Sequence, residues 1–161
     1  MPTEKKKKRL TPAQAKINIE NYCAYQERSH RQVRNKLFTY GLYSSEVESI
    51  ISDLISAGFL NEERFAKAYA GGKFRMKNWG RAKIEYQLKG EGLSKRCIAL
   101  GLKEIESGDY EKTLCALLKK KFNALKEESI FVRRQKAARF AMGKGYESEL
   151  IWKIIDREFP D

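Results

Sequence analysis

The densest run of residues able to do chemistry is Lys73-Phe74-Arg75-Met76-Lys77-Asn78-Trp79-Gly80-Arg81-Ala82-Lys83. Lys73, Arg75, Lys77, Arg81 and Lys83 supply positive charge, and Phe74 and Trp79 supply aromatic surface, across a helix end, a turn and a helix start. Such a segment suits phosphates, with a ring available for a base or for an apolar protein patch. The plainer reading is a solvated face in which Trp79 packs onto Ile84 as a hydrophobic staple across a Gly80 cap. A second basic cluster is Arg31, Arg34 and Lys36, where Arg31 and Arg34 share a helix face and Lys36 points elsewhere. Its counterpart near the C-terminus is Arg133, Arg134, Lys136 and Arg139. Similar modules stacked with a constant rotation would align these segments into one basic stripe. Lys119-Lys120-Lys121 reads as a solvated turn of helix, and the Lys5–Arg9 run as a source of non-specific attraction.

Other chemistry finds little support. His30 is the only histidine and sits in an arginine-rich capping segment with no nucleophile beside it, so it reads as a surface histidine. No phosphate-binding glycine loop, paired-carboxylate pattern or metal-ligand spacing stands out, and the expectation is a protein that is not an enzyme and needs no cofactor or metal. Glu62-Glu63 most simply favours the positive end of a helix. Cys23, Cys97 and Cys115 are odd in number and widely spaced, and read as buried side chains in a reducing, cytoplasmic compartment. The net charge of +12 points to a polyanionic partner. A membrane is disfavoured, since no apolar run approaches the roughly 20 residues needed to span one. Nor is there a signal peptide, because polar residues follow the basic run.

The elements that must position these residues show a three-fold repeat. Gly41, Gly92 and Gly145 recur roughly every fifty residues. Leu42, Leu93 and Tyr146 follow them, and Val47, Ile98 and Ile151 come six positions on, with Ile51, Leu102 and Ile155 at ten. Val33, Ile84 and Ala137 stand eight before, and Leu37, Leu88 and Ala141 four before. Each glycine fits the left-handed position that closes a helix. Capping signals at Thr11-Pro12-Ala13-Gln14, Ser29-His30-Arg31-Gln32 and Ser45-Glu46-Val47-Glu48, with Asn61 and Ser94, start further helices. The periodicity predicts helices over 12–28, 30–40, 45–57, 62–77, 81–90, 95–106, 109–126, 130–143 and 147–158.

The fold expected is therefore all-α: three tandem three-helix, helix-turn-helix-like modules in an elongated, curved array. Residues 1–10 would be a basic flexible tail, with modules at 11–60, 61–107 and 108–161. Nothing such as a long heptad run demands a dimer, so a monomer is expected.

Residues 57–70, Ala-Gly-Phe-Leu-Asn-Glu-Glu-Arg-Phe-Ala-Lys-Ala-Tyr-Ala, resemble the central signature of RecX proteins, bacterial modulators of the RecA recombinase. Residues 77–88 resemble that family's second basic motif. Ser29, Val33, Arg34, Lys36, Leu37 and Gly41 in the first module, and Lys136, Ala137, Phe140, Gly145, Tyr146 and Ile151 in the third, sit at similar spacing. Two departures stand out. Gly71-Gly72 falls where an uninterrupted helix is expected, and Ala137 and Ala141 are smaller than their counterparts, which predicts looser packing in the third module.

The resemblance implies a non-catalytic cytoplasmic protein of DNA repair, recombination and the SOS response. It would bind RecA, alone or as a filament on single-stranded DNA, and restrain ATP hydrolysis and strand exchange. The contact residues expected are Lys73, Arg75, Lys77, Arg81, Lys83, Arg31, Arg34, Arg133, Arg134 and Lys136, with Trp79 as an aromatic contact. The competing reading is a stand-alone DNA-binding protein of tandem helix-turn-helix-like modules, for duplex as well as single strands. A third is a helical scaffold acting on neither DNA nor RecA.

Overall fold

Side-chain caps decide where most helices start. Thr11 accepts the Gln14 amide at 3.2 Å while the Gln14 side chain takes the Thr11 amide at 3.1 Å, and Ser29 and Gln32 repeat this exchange. Asn61, Ser94 and Ser129 each accept an amide from the following first turn. In the computed structural model, which describes residues 9–161, these caps open five of the nine α-helices among the described residues, where no strand is present. The nine are α1 (Pro12–Tyr25), α2 (His30–Thr39), α3 (Ser44–Ser56), α4 (Glu62–Lys77), α5 (Arg81–Gly90), α6 (Lys95–Leu102), α7 (Ser107–Ala124), α8 (Ile130–Gly143) and α9 (Ser148–Glu158). Lys5 to Lys8 of the expected tail lie outside the described residues.

Three boundaries differ from the periodicity for local reasons. α1 stops at Tyr25 rather than running to 28, because Arg28 turns back to donate to the Tyr22 carbonyl and Ser29 is needed as the next cap. α6 stops at Leu102, since the Glu106 carboxylate collects the amides of Gly108 and Asp109 and starts α7 there. Those amide bonds, chiefly the one from Asp109, hold the Glu106 carboxyl below its usual range. α3 begins at Ser44, with Glu46 accepting the Tyr43 amide, so the expected Ser45 cap is displaced by two residues. At the other end of the first module, Arg9 is fixed rather than loose. Its guanidinium pairs with Glu46 at 2.7 Å and lies 4.0 Å over the Tyr43 ring, while the Leu10 amide donates to Tyr40.

The repeat positions form the interior. Gly41, Gly92 and Gly145 have φ of 82, 79 and 98°, as the helix-closing role requires. The apolar residues keyed to them are all buried except Leu102, which is half-buried. Burying each large aliphatic chain contributes about 1.5–3 kcal/mol, so the repeat is the main source of stability. The buried residues divide into two clusters, however, not three. Ala15, Ile19, Val33, Leu37, Val47 and Ile51 belong to one confined to α1–α3 and the turn after it. The other runs without a break through α4–α9, taking in Phe65, Ile84, Leu88, Leu114, Leu118 and Ile155. Ala137 and Ala141 are fully buried within it, in the same cluster as Tyr110 and Tyr146, whose rings lie 4.9 Å apart.

The two joints between modules differ accordingly. At the first, contacts are polar. Arg64 pairs with Glu27 at 2.9 Å, His30 Nδ1 lies 3.3 Å from Glu62, the buried Ser29 hydroxyl donates to Glu91 at 2.7 Å, and Arg31 donates to the Gly90 carbonyl. At the second, α8 runs end-on into α5, and the amides of Gly80 and Ala82 donate to the Lys144 and Gly145 carbonyls at 2.7 and 3.0 Å. A Cβ on Gly80 would lie 2.3 Å from the Gly145 carbonyl carbon, and only glycine permits this approach. Beneath it, the Tyr110 hydroxyl accepts the Arg81 amide and donates to Glu147 at 2.8 Å, and the Tyr146 hydroxyl donates to the Asn78 carbonyl.

Candidate binding surface

The residues of the 73–83 run are set by the end of α4, a left-handed Asn78 (φ 55°) and the start of α5. Trp79 is half-buried against the larger core, with the Lys73 ammonium 5.0 Å and the Lys83 ammonium 4.5 Å from its ring. Lys73 also lies 5.4 Å from the Tyr69 ring. Trp79 thus serves as a packing element in the core to which Ile84 belongs and as a platform that fixes two cations. Arg75 folds back along its own helix, so that a Cβ on Gly71 would lie 2.7 Å from its guanidinium. Gly71-Gly72 does not interrupt α4, which is continuous from Glu62 to Lys77.

The ten expected contact residues separate into two groups. Arg31 is spent at the first joint on the Gly90 carbonyl. Arg34 holds Glu48 through two nitrogens, and that pairing lowers the Glu48 carboxyl from its ordinary value. Arg81 lies 4.0 Å over the Tyr110 ring and 4.0 Å from a Glu147 oxygen. Arg133 donates to the Phe122 carbonyl and stacks on its ring at 3.8 Å. Arg134 pairs with Asp156 and Asp161, and Lys136 with Glu128 at 2.9 Å. Lys36 faces the Tyr22 and Tyr40 rings. Lys73, Arg75, Lys77 and Lys83, by contrast, have no acidic partner within ion-pair distance among the described residues.

Two residues join this unpaired group that sequence reasoning had not placed there. The Lys144 ammonium reaches the Lys77 carbonyl at 3.5 Å and lies 5.9 Å from the Phe140 ring, and the Lys121 ammonium lies 5.3 Å from the same ring. On either side of the joint of the second and third modules, an aromatic ring thus carries two lysines: Trp79 with Lys73 and Lys83, and Phe140 with Lys121 and Lys144. The one available signal was Lys144 directly preceding the repeat glycine. Its significance depends on α8 meeting α5 end-on, and nothing local in the sequence reports that.

Beside this surface lies a groove of about 450 Å³ between the α1–α2 corner and one face of α4. No cluster of three metal-ligating side chains exists among the described residues. No helix there is long and apolar enough to cross a membrane. All three cysteines are free. Cys23 is buried, and burial pushes its thiol up; Cys97 and Cys115 are only half-buried, which corrects the expectation of three buried thiols. His30 has the carboxylate neighbour that the sequence did not reveal, Glu62, at a joint rather than in a cleft.

Known proteins share both sequence and fold with the chain. The family model for the second three-helix domain of RecX matches residues 61–102, and that for the third matches residues 109–155. A regulatory protein RecX of Clostridium perfringens (strain SM101 / Type A) is 32% identical over 132 residues, covering 81% of this chain and 61% of that protein. The chain thus spans less than two thirds of that relative's length. A regulatory protein RecX of Prosthecochloris aestuarii (strain DSM 271 / SK 413) is 27% identical over 135 residues, covering 84% of this chain and 87% of that protein. In fold, the chain is similar to the crystal structure of RecX from Lactobacillus salivarius, with a TM-score of 0.81 at 20% identity over 91% of this chain and 95% of that one.

Proposed function

The chain belongs to the RecX family, and from that premise we propose that it binds the RecA recombinase and its filament on single-stranded DNA and restrains ATP hydrolysis and strand exchange. The observation that carries the reading is the group Lys73, Arg75, Lys77, Lys83, Lys121 and Lys144, without acidic partners among the described residues. Most other cations named above are paired or stacked within the fold. Clustering like charges opposes folding, and a polyanion would offset that cost. The lysines beside Trp79 and Phe140 suit a nucleoprotein surface, where phosphates, acidic side chains and apolar patches occur together.

The mode of action is by contact. A molecule lying across adjacent protomers hinders the subunit movements that accompany ATP turnover, and one bound molecule then affects many protomers. The test is single-stranded-DNA-dependent ATP hydrolysis by RecA from the same organism, titrated with the chain at near-physiological salt. Inhibition is expected well below one molecule per protomer. The combined variant K73E/R75E/K77E/K83E should need at least tenfold more protein for the same effect. Unchanged hydrolysis, with tight duplex binding whose log–log salt slope is about −4.5 for five phosphates, would instead establish a stand-alone DNA-binding protein.

A further inference from the structure

Gly72 has no explanation in the packing of the chain. It sits inside α4, where glycine is less favourable than alanine, yet a Cβ there would meet nothing within 4 Å. Gly71, its neighbour, is occupied by Arg75; Gly72 opens into the groove. Phe65, Ala68, Tyr69, Gly72 and Met76 recur at three- and four-residue spacing, so one face of α4 forms the floor over about three turns. Met76 is 82% exposed at the open end. Gln26 and Gln32 stand on the opposite wall.

We infer that this groove docks an acidic amphipathic helix on the surface of the recombinase protomer, crossing α4 at Gly72. The inference rests on RecA being the partner. Charge selects the occupant. Lys73 and Lys77 line the groove without acidic partners among the described residues, and the one carboxylate there, Glu27, is already held by Arg64. A segment entering the groove therefore meets net positive charge and should carry carboxylates. Geometry selects a helix. No sheet edge exists among the described residues to pair with an extended strand, while a ridge of side chains laid along a helical face is a standard recognition mode. The missing Cβ at Gly72 lets the incoming backbone or a bulky side chain approach α4 closely, and the unbranched thioether of Met76 adapts to it. Nucleic acid fits this groove less well. Phe65 is buried, and the half-buried Tyr69 ring already has the Phe65 ring 5.6 Å and the Lys73 ammonium 5.4 Å from its centroid, so neither ring offers a free platform for stacking a base.

Gly72→Leu is the decisive variant, because it puts a side chain into the groove while improving helix propensity, and its Cβ meets nothing within 4 Å. Its melting temperature should equal or exceed that of the parent chain, and the concentration needed to inhibit RecA ATP hydrolysis should rise at least tenfold. Met76→Glu, at a highly exposed position, should raise it similarly, while Lys103→Glu on the exposed end of α6 should not. If the parent chain inhibits and both groove variants inhibit equally well, the groove assignment is overturned and the RecA reading stands. A parent chain that neither binds nor inhibits RecA removes both. Loss of oligo(dT) binding by Gly72→Leu in the absence of RecA would make the occupant nucleic acid and overturn the helix assignment.

Discussion

Tyr110 shows how a single side chain ties the two later modules together. Its hydroxyl accepts from the backbone of α5 and donates to Glu147 before α9, while its ring packs against Phe74 and Tyr146. Burial pushes this phenol far above its ordinary value. Tyr110→Phe keeps the ring but leaves the half-buried Arg81 amide and the Glu147 carboxylate without this partner, which should cost about 1–3 kcal/mol, read as a lower urea midpoint with an unchanged slope. Tyr146 gives a pH signature. Burial, helped by the charge of Glu147, pushes its phenol up to about 12. The folded value lies above the unfolded value near 10, so this contribution is complete below pH 10 and is lost as pH rises through 12. Melting temperature should therefore fall over that interval, and more shallowly for Tyr146→Phe.

Between elements, the junction of α8 with α5 is the most exacting contact. Gly80 has φ of −79°, which any residue adopts, so its requirement for glycine comes wholly from the approach of Gly145. Gly80→Ala must separate the helices and break the two amide bonds across the joint, at a cost of roughly 2–4 kcal/mol. Gly92→Ala, where a Cβ meets nothing within 4 Å and only the positive φ is strained, should cost about 1 kcal/mol. Thermal melts of the two variants side by side should show this ordering; equal losses would mean that the junction yields at little cost.

At the scale of the whole molecule, three repeats make two stability units. The α4–α9 core is continuous and stitched by backbone hydrogen bonds, whereas α1–α3 meet it through ion pairs and side-chain hydrogen bonds. Exposed ion pairs contribute only about 0–1 kcal/mol each and are weakened by salt. Hydrogen exchange should accordingly show α1–α3 opening as one unit and α4–α9 as another. Raising salt from about 0.05 to 0.5 M should reduce protection at Glu27–Gln32 and Asn61–Arg64 more than at Asn78–Ala82. Uniform protection across all nine helices would contradict the division.

Helix number, the caps at Thr11, Ser29, Asn61 and Ser94, and the apolar positions keyed to Gly41, Gly92 and Gly145 were legible in the sequence, because they depend on hydrogen bonds and side-chain spacing within a few turns. The family was legible too, since its motifs are contiguous stretches. The cationic surface was half legible. Composition put many basic residues on the chain, but whether each is spent depends on acids brought near by folding: Arg34 on Glu48, Arg134 on Asp156, Lys136 on Glu128. Which cations remain open, how Lys144 joins Lys77, and why Gly72 faces an empty groove are matters of relative module placement. That placement was decided by the close approach of Gly80 to Gly145 and by the polar joint around Ser29, contacts between residues far apart in the chain, and only the tertiary structure brings them together.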